Sequence, residues 1–60
     1  MKVKAIRGKQ GLSVRAVAAK AHMSFTYLSN VENGKVDPSL STLKRIAQAL
    51  KVKVADLLDE

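Results

Sequence analysis

Apolar residues recur along this chain at spacings of three and four rather than two, and the polar residues between them fall where helices start and stop. Leu40, Leu43, Ile46, Ala47 and Leu50 make the clearest stripe, the inward face of one amphipathic helix. Val3, Ile6 and Arg7 fit a short first helix, ended by Gly8 and Gly11. Ser13 is placed to cap a second helix whose inner face is Val17, Ala18 and Ala21. Ser24 is placed to cap a third, with Leu28 and Val31 inward and a stop at Asn33-Gly34. Asp37-Pro38 forms a connector, because proline disfavours a helical residue before it, and Ser39 caps the helix that carries the clear stripe. Val52, Val54, Leu57 and Leu58 supply a last turn or short helix. No stretch alternates in the manner of a strand, and Asn33-Gly34 follows a helical pattern and not a strand.

The predicted fold class is therefore all-α, a compact bundle of four to five short helices. Helices of this length do not persist alone, so they must pack on one another. The expected core is Val3, Ile6, Leu12, Val17, Ala18, Ala21, Met23, Leu28, Val31, Leu40, Leu43, Ile46, Ala47, Leu50, Val52, Leu57 and Leu58. Small Ala18 at a central inward position lets the next helix approach closely.

Size and chemistry narrow the function. Sixty residues make a single domain, 1–60, and a chain this short buries only about 60% of the surface it exposes when unfolded. With no cysteine there is no disulfide, no thiolate zinc site and no thiol nucleophile. No apolar run reaches membrane-spanning length, and the start MKVKAIRGKQG lacks the apolar segment of a secretory signal, so the chain reads as soluble and unexported. Charge is unevenly placed. Lys2, Lys4, Arg7, Lys9, Arg15 and Lys20 face no acid before Glu32; from Glu32 onward five bases cancel five acids. A polyanion is the expected partner, nucleic acid or an anionic membrane surface. The membrane reading is weak, because residues 1–11 offer little bulky apolar surface beyond Val3 and Ile6. Catalysis is not expected, on similar grounds. There is one histidine and no Gly-rich phosphate loop, and the acids gather at the exposed C-terminal end, so no polar groups converge and neither metal nor cofactor is implied.

Two short helices joined by a turn of three or four residues, the second with a polar outer face, describe a helix-turn-helix. With Leu28 inward, Thr26, Ser29, Asn30 and Asn33 fall outward and Phe25 lies at the edge. That face is uncharged yet rich in donors and acceptors, whereas a face built only for solubility carries more Lys and Glu.

GLSVRAVAAKAHMSFTYLSNVENGK, then DPSLSTLKRIAQALKV and ADLL, resemble the phage repressor and Cro type helix-turn-helix proteins, the xenobiotic-response-element family, from about Val3 to Leu58. The resemblance implies a lambda-repressor-like bundle and a transcriptional regulator, expected to be a repressor, acting on double-stranded DNA. It implies that the helix at about 24–33 enters the major groove with Phe25, Thr26, Ser29 and Asn30 toward base edges. Asn30 suits bidentate pairing with adenine, Thr26 and Ser29 suit either base type, and Phe25 suits a thymine methyl, with an edge-of-core role as its alternative. Phosphate contacts are expected from the helix start at Ser13 and Val14 and from Arg15, Tyr27, Asn33 and Lys35. The resemblance further implies an ion pair between Arg7 and Glu32, a homodimer on a palindromic operator, and a cytoplasmic setting in a bacterial, archaeal or phage-infected cell. Val54, Leu57 or Leu58 is either dimer surface or simply core.

Three positions depart from the family pattern. Val14 stands where the family usually has glutamine, and His22 and Lys51 stand where it usually has glycine. His22 is expected at the motif's turn with a positive φ, a conformation in which histidine is one of the few enriched residues besides glycine. A rival function, a protein-interaction module such as an antitoxin or coactivator-like member of the same fold, differs in its salt response. Phosphate-driven binding weakens steeply with salt, while an apolar protein contact does not.

Overall fold

The computed structural model describes residues 1–58 as five helices: α1 (Val3–Lys9), α2 (Val14–Lys20), α3 (Phe25–Glu32), α4 (Leu40–Leu50) and α5 (Val54–Leu58). No strand occurs among the described residues. Asp59 and Glu60, two of the acids read as exposed, lie outside the described residues. Three of the helices begin at serines in extended conformation. The hydroxyls of Ser13, Ser24 and Ser39 accept from the backbone N–H groups of Ala16, Tyr27 and Thr42 at 3.1, 3.0 and 3.2 Å. Each cap satisfies a donor that the first helical turn leaves without an internal partner.

The helix ends share one design. After each of α1 to α4 a residue in left-handed conformation turns the chain, namely Gly11, His22, Gly34 and Lys51, with φ of 69°, 58°, 72° and 58°. Paired backbone bonds close each end: Gly11 to Gly8 and Leu12 to Arg7, His22 to Ala19 and Met23 to Ala18, Gly34 to Val31 and Lys35 to Asn30, Lys51 to Gln48 and Val52 to Ala47. This is the Schellman arrangement, which uses up carbonyls that a helix end leaves open. Gly8 does not end α1, contrary to expectation; the helix runs through it to Lys9 and the turn is made at Gly11. An interior glycine costs a helix only about 1 kcal/mol, less than it takes to break one held at both ends.

Val3, Val17, Ala18, Leu28, Val31, Leu43, Ile46, Ala47, Leu50 and Leu57 form one buried cluster, and Ile6, Leu12, Met23 and Val52 pack against it half-buried. Ala21 is also fully buried. Two expected core residues are not in it. Leu40 is 61% exposed, because it opens α4, where the apolar stripe runs past the helices it packs on. Leu58 is 53% exposed. A five-residue helix buries one side only, and Leu57 with half-buried Val54, three residues back, takes it. Thr42, on the same helix as Leu40, is buried as well, its hydroxyl within 3.1 Å of the Ser39 hydroxyl.

The left-handed turns at His22 and Lys51 carry a Cβ where glycine would carry none. His22→Gly, and separately Lys51→Gly, should leave the fold intact and raise stability by up to about 1 kcal/mol. Thermal melting by circular dichroism reads this directly. A clear loss at residue 22 would mean that the imidazole holds the turn.

Candidate nucleic-acid interface

α3 is anchored by Leu28 and Val31, both fully buried, so its opposite side must face outward. Phe25, Thr26 and Asn33 are exposed there, and Ser29 and Asn30 are half-buried beside them. The amide of Asn33 reaches the Ser29 hydroxyl at 3.5 Å, a long contact that leaves both groups able to bind elsewhere. Tyr27 lies half-buried against the core on the flank of the helix. Lys35 is exposed just beyond the C-terminal turn. Among residues named as contacts, Phe25, Thr26, Ser29, Asn30 and Asn33 thus share one outward surface.

α2 contributes the flank. Ser13 is its cap, Val14 its half-buried first residue, and Arg15 is exposed. The guanidinium carbon of Arg15 lies 4.5 Å from the centre of the Phe25 ring, close enough for a cation–π contact between the two helices. Sequence reading placed Arg15 and Phe25 in separate roles. Ten residues separate them and only the crossing of α2 and α3 brings them together.

Electrostatics on this side is set by the fate of one acid. Glu32, at the end of α3, receives Arg7 Nε on Oε2 at 2.8 Å and Nη2 on Oε1 at 3.0 Å. The third guanidinium nitrogen, Nη1, donates to the Leu12 carbonyl at 3.0 Å. Only 14% of the Arg7 and 5% of the Glu32 side chain is exposed. Hydrogen bonding to Glu32 raises the Arg7 pKa, burial opposes it, and the charge of Glu32 adds to the rise, so the guanidinium stays charged. With Glu32 paired to Arg7, the described part of the chain from Met1 to Asn33 presents no free carboxylate, and exposed Arg15 and Lys35 flank α3.

The turn between α2 and α3 is held from a third helix. Arg45, on α4, donates from Nε to the Ala21 carbonyl at 2.9 Å and from Nη2 to the His22 carbonyl. Gln10 does the same for the end of α4, donating to the Leu50 carbonyl at 2.8 Å. Neither bond was foreseen, since a side chain reaching a backbone carbonyl more than twenty residues away leaves no local pattern. Among the described residues no three metal-ligating side chains gather, and no helix is long and apolar enough to cross a membrane.

The helix-turn-helix family model matches residues 3–57. The chain is 39% identical over 59 residues to the immunity repressor protein of Bacillus phage phi105, covering 98% of this chain but 41% of that protein. It is 37% identical over 59 residues to control protein C.BamHI of Bacillus amyloliquefaciens, covering 97% of this chain and 73% of the relative. Several of the curated relatives it matches are about twice its length. Among solved structures, the clp gene regulator ClgR from C. glutamicum superposes with a TM-score of 0.88 at 32% identity, over 93% of this chain and 73% of that one.

Proposed function

Because this chain belongs to the helix-turn-helix family, we propose that it is a sequence-specific reader of double-stranded DNA, acting in transcription regulation as a repressor in the cytoplasm, with residues 1–60 forming one domain. The observation that carries this reading is the outward face of α3: Phe25, Thr26, Ser29, Asn30 and Asn33, uncharged and rich in hydrogen-bonding groups, set among Arg15 and Lys35 with the nearest acid consumed by Arg7. Base edges demand donors and acceptors, while phosphates demand cations around them. Asn30 reads adenine, Thr26 and Ser29 contact either base type, and Phe25, with the Arg15 guanidinium against its ring, meets a thymine methyl. Ser13, Val14, Arg15, Tyr27, Asn33 and Lys35 hold the flanking phosphates.

The Cα trace extends 24 Å along its longest axis, short of the roughly 34 Å between half-sites one helical turn apart. A single copy therefore reads one half-site, and the reading includes a homodimer on a palindromic operator. Of the residues considered for its surface, Leu57 is core and Val54 packs half-buried against it, so exposed Leu58 is the side chain best placed to meet a second copy.

Selection from random duplexes at two salt concentrations tests the proposal. A palindromic consensus whose binding weakens steeply with salt supports it, and no enriched sequence defeats it. With that consensus in hand, Asn30→Ala should weaken binding by about tenfold to a hundredfold and relax the preference for adenine at one position per half-site. Unchanged preference at every position would remove Asn30 from the reading face.

A further inference from the structure

We infer that Arg45 is a positioning residue for DNA recognition: its guanidinium fork on the Ala21 and His22 carbonyls locks the left-handed turn that sets the angle between α2 and α3. The inference rests on the DNA-reading proposal and adds to it a residue that lies outside the reading face.

The four helix ends fall into two kinds. Where glycine makes the turn, at Gly11 and Gly34, the left-handed conformation is free of Cβ strain. Where His22 and Lys51 make it, a Cβ is held at a φ of 58°, and in both places a side chain from another element donates to a carbonyl at the turn or just before it. Gln10 serves the end of α4 through Leu50, and Arg45 serves the end of α2 through Ala21 and His22. The His22 imidazole is exposed and makes no hydrogen bond among the described residues, so the turn is not held by its own side chain. Arg45 uses a planar fork, which lysine lacks, to hold two successive carbonyls at once.

Position matters because this turn, unlike the one at Lys51, joins the helix that carries Arg15 to the helix that carries Phe25, Thr26, Ser29 and Asn30. A turn that samples other conformations lowers the fraction of molecules with both helices in reading geometry, and apparent affinity falls by that fraction. Nonspecific binding, which depends on phosphates and tolerates many poses, falls far less.

The test compares Arg45→Met and Arg45→Lys, each alone and each combined with His22→Gly, in thermal melting and in binding to the selected duplex and a scrambled one. Arg45→Met should cut the ratio of specific to nonspecific affinity by about tenfold, the worth of a charged hydrogen bond to a carbonyl. Arg45→Lys should recover less than half of that loss on a logarithmic scale, and His22→Gly should recover most of it in the Met variant. Full recovery by lysine would mean a simple charge effect and would overturn the inference. Equal losses with histidine and with glycine at position 22 would overturn it as well. Should no duplex sequence be preferred, the DNA proposal fails. The melting temperatures then still decide whether Arg45 and residue 22 are coupled, and additive shifts would overturn the clamp.

Discussion

Glu32→Ala is expected to destabilise the domain by about 3 kcal/mol or more, because it strands the Arg7 guanidinium in a site that gives it little water. The carboxylate satisfies Nε and Nη2 together, leaving only Nη1 on the Leu12 carbonyl when it is gone. With the Arg7 side chain 14% exposed, solvent cannot fully replace those partners. A domain of this size has a total stability of roughly 3 to 9 kcal/mol, so the loss is a large share of the whole. In a thermal melt it should lower Tm by more than about 10 °C. Glu32→Gln keeps the shape and one acceptor and should fall between. Replacing both partners together, Arg7→Met with Glu32→Leu, should recover much of the loss, since no charge is then left without a partner. An unchanged Tm for Glu32→Ala would show that the two charges are solvated separately in solution.

The features legible in the sequence are those whose cause is local. Ser13, Ser24 and Ser39 announce helix starts because a hydroxyl three residues from the donor it accepts is a short-range arrangement. The stripe from Leu43 to Leu50 announces a buried face because 3.6 residues per turn brings those side chains into line. Local signals mislead where the outcome depends on what lies opposite. Gly8 looks like a stop, yet sits inside α1; Leu40 and Leu58 are in phase with apolar neighbours, yet both are more than half exposed. The polar face of α3 could be read from Leu28 alone, since fixing one inward residue fixes the whole wheel. What holds that face in place could not. Arg7 and Glu32 are 25 residues apart and Arg45 and Ala21 are 24, and pairs of that kind came into view through the family resemblance or only through the packed structure. The left-handed turn at His22 was legible, but its support from Arg45 was not.

Raising salt from about 50 to 200 mM is expected to weaken binding to the selected duplex by roughly a hundredfold, if two copies bind together. The size follows from the cations placed beside α3. Arg15 and Lys35 are the charged residues proposed to meet phosphates, whereas Ser13, Val14, Tyr27 and Asn33 act through neutral groups and release no counterion by charge neutralisation. About two phosphates are then neutralised per copy and about four per pair, giving a slope of log affinity on log salt near −3.6. One copy alone would give a slope near −1.8 and a loss of only about tenfold, so the same titration separates the pair from the single reader. Lys2, Lys4 and Lys9 belong to α1 and the residues before it and are not among the residues proposed to meet phosphates, so they do not enter the count. Lys35→Gln should reduce the slope of the pair by about two while leaving the preferred sequence unchanged, because phosphate contacts position the protein without reading bases. Fluorescence anisotropy at four or more salt concentrations measures both slopes. A flat salt response would place the binding energy in apolar contact and count against phosphate-anchored DNA reading by this face.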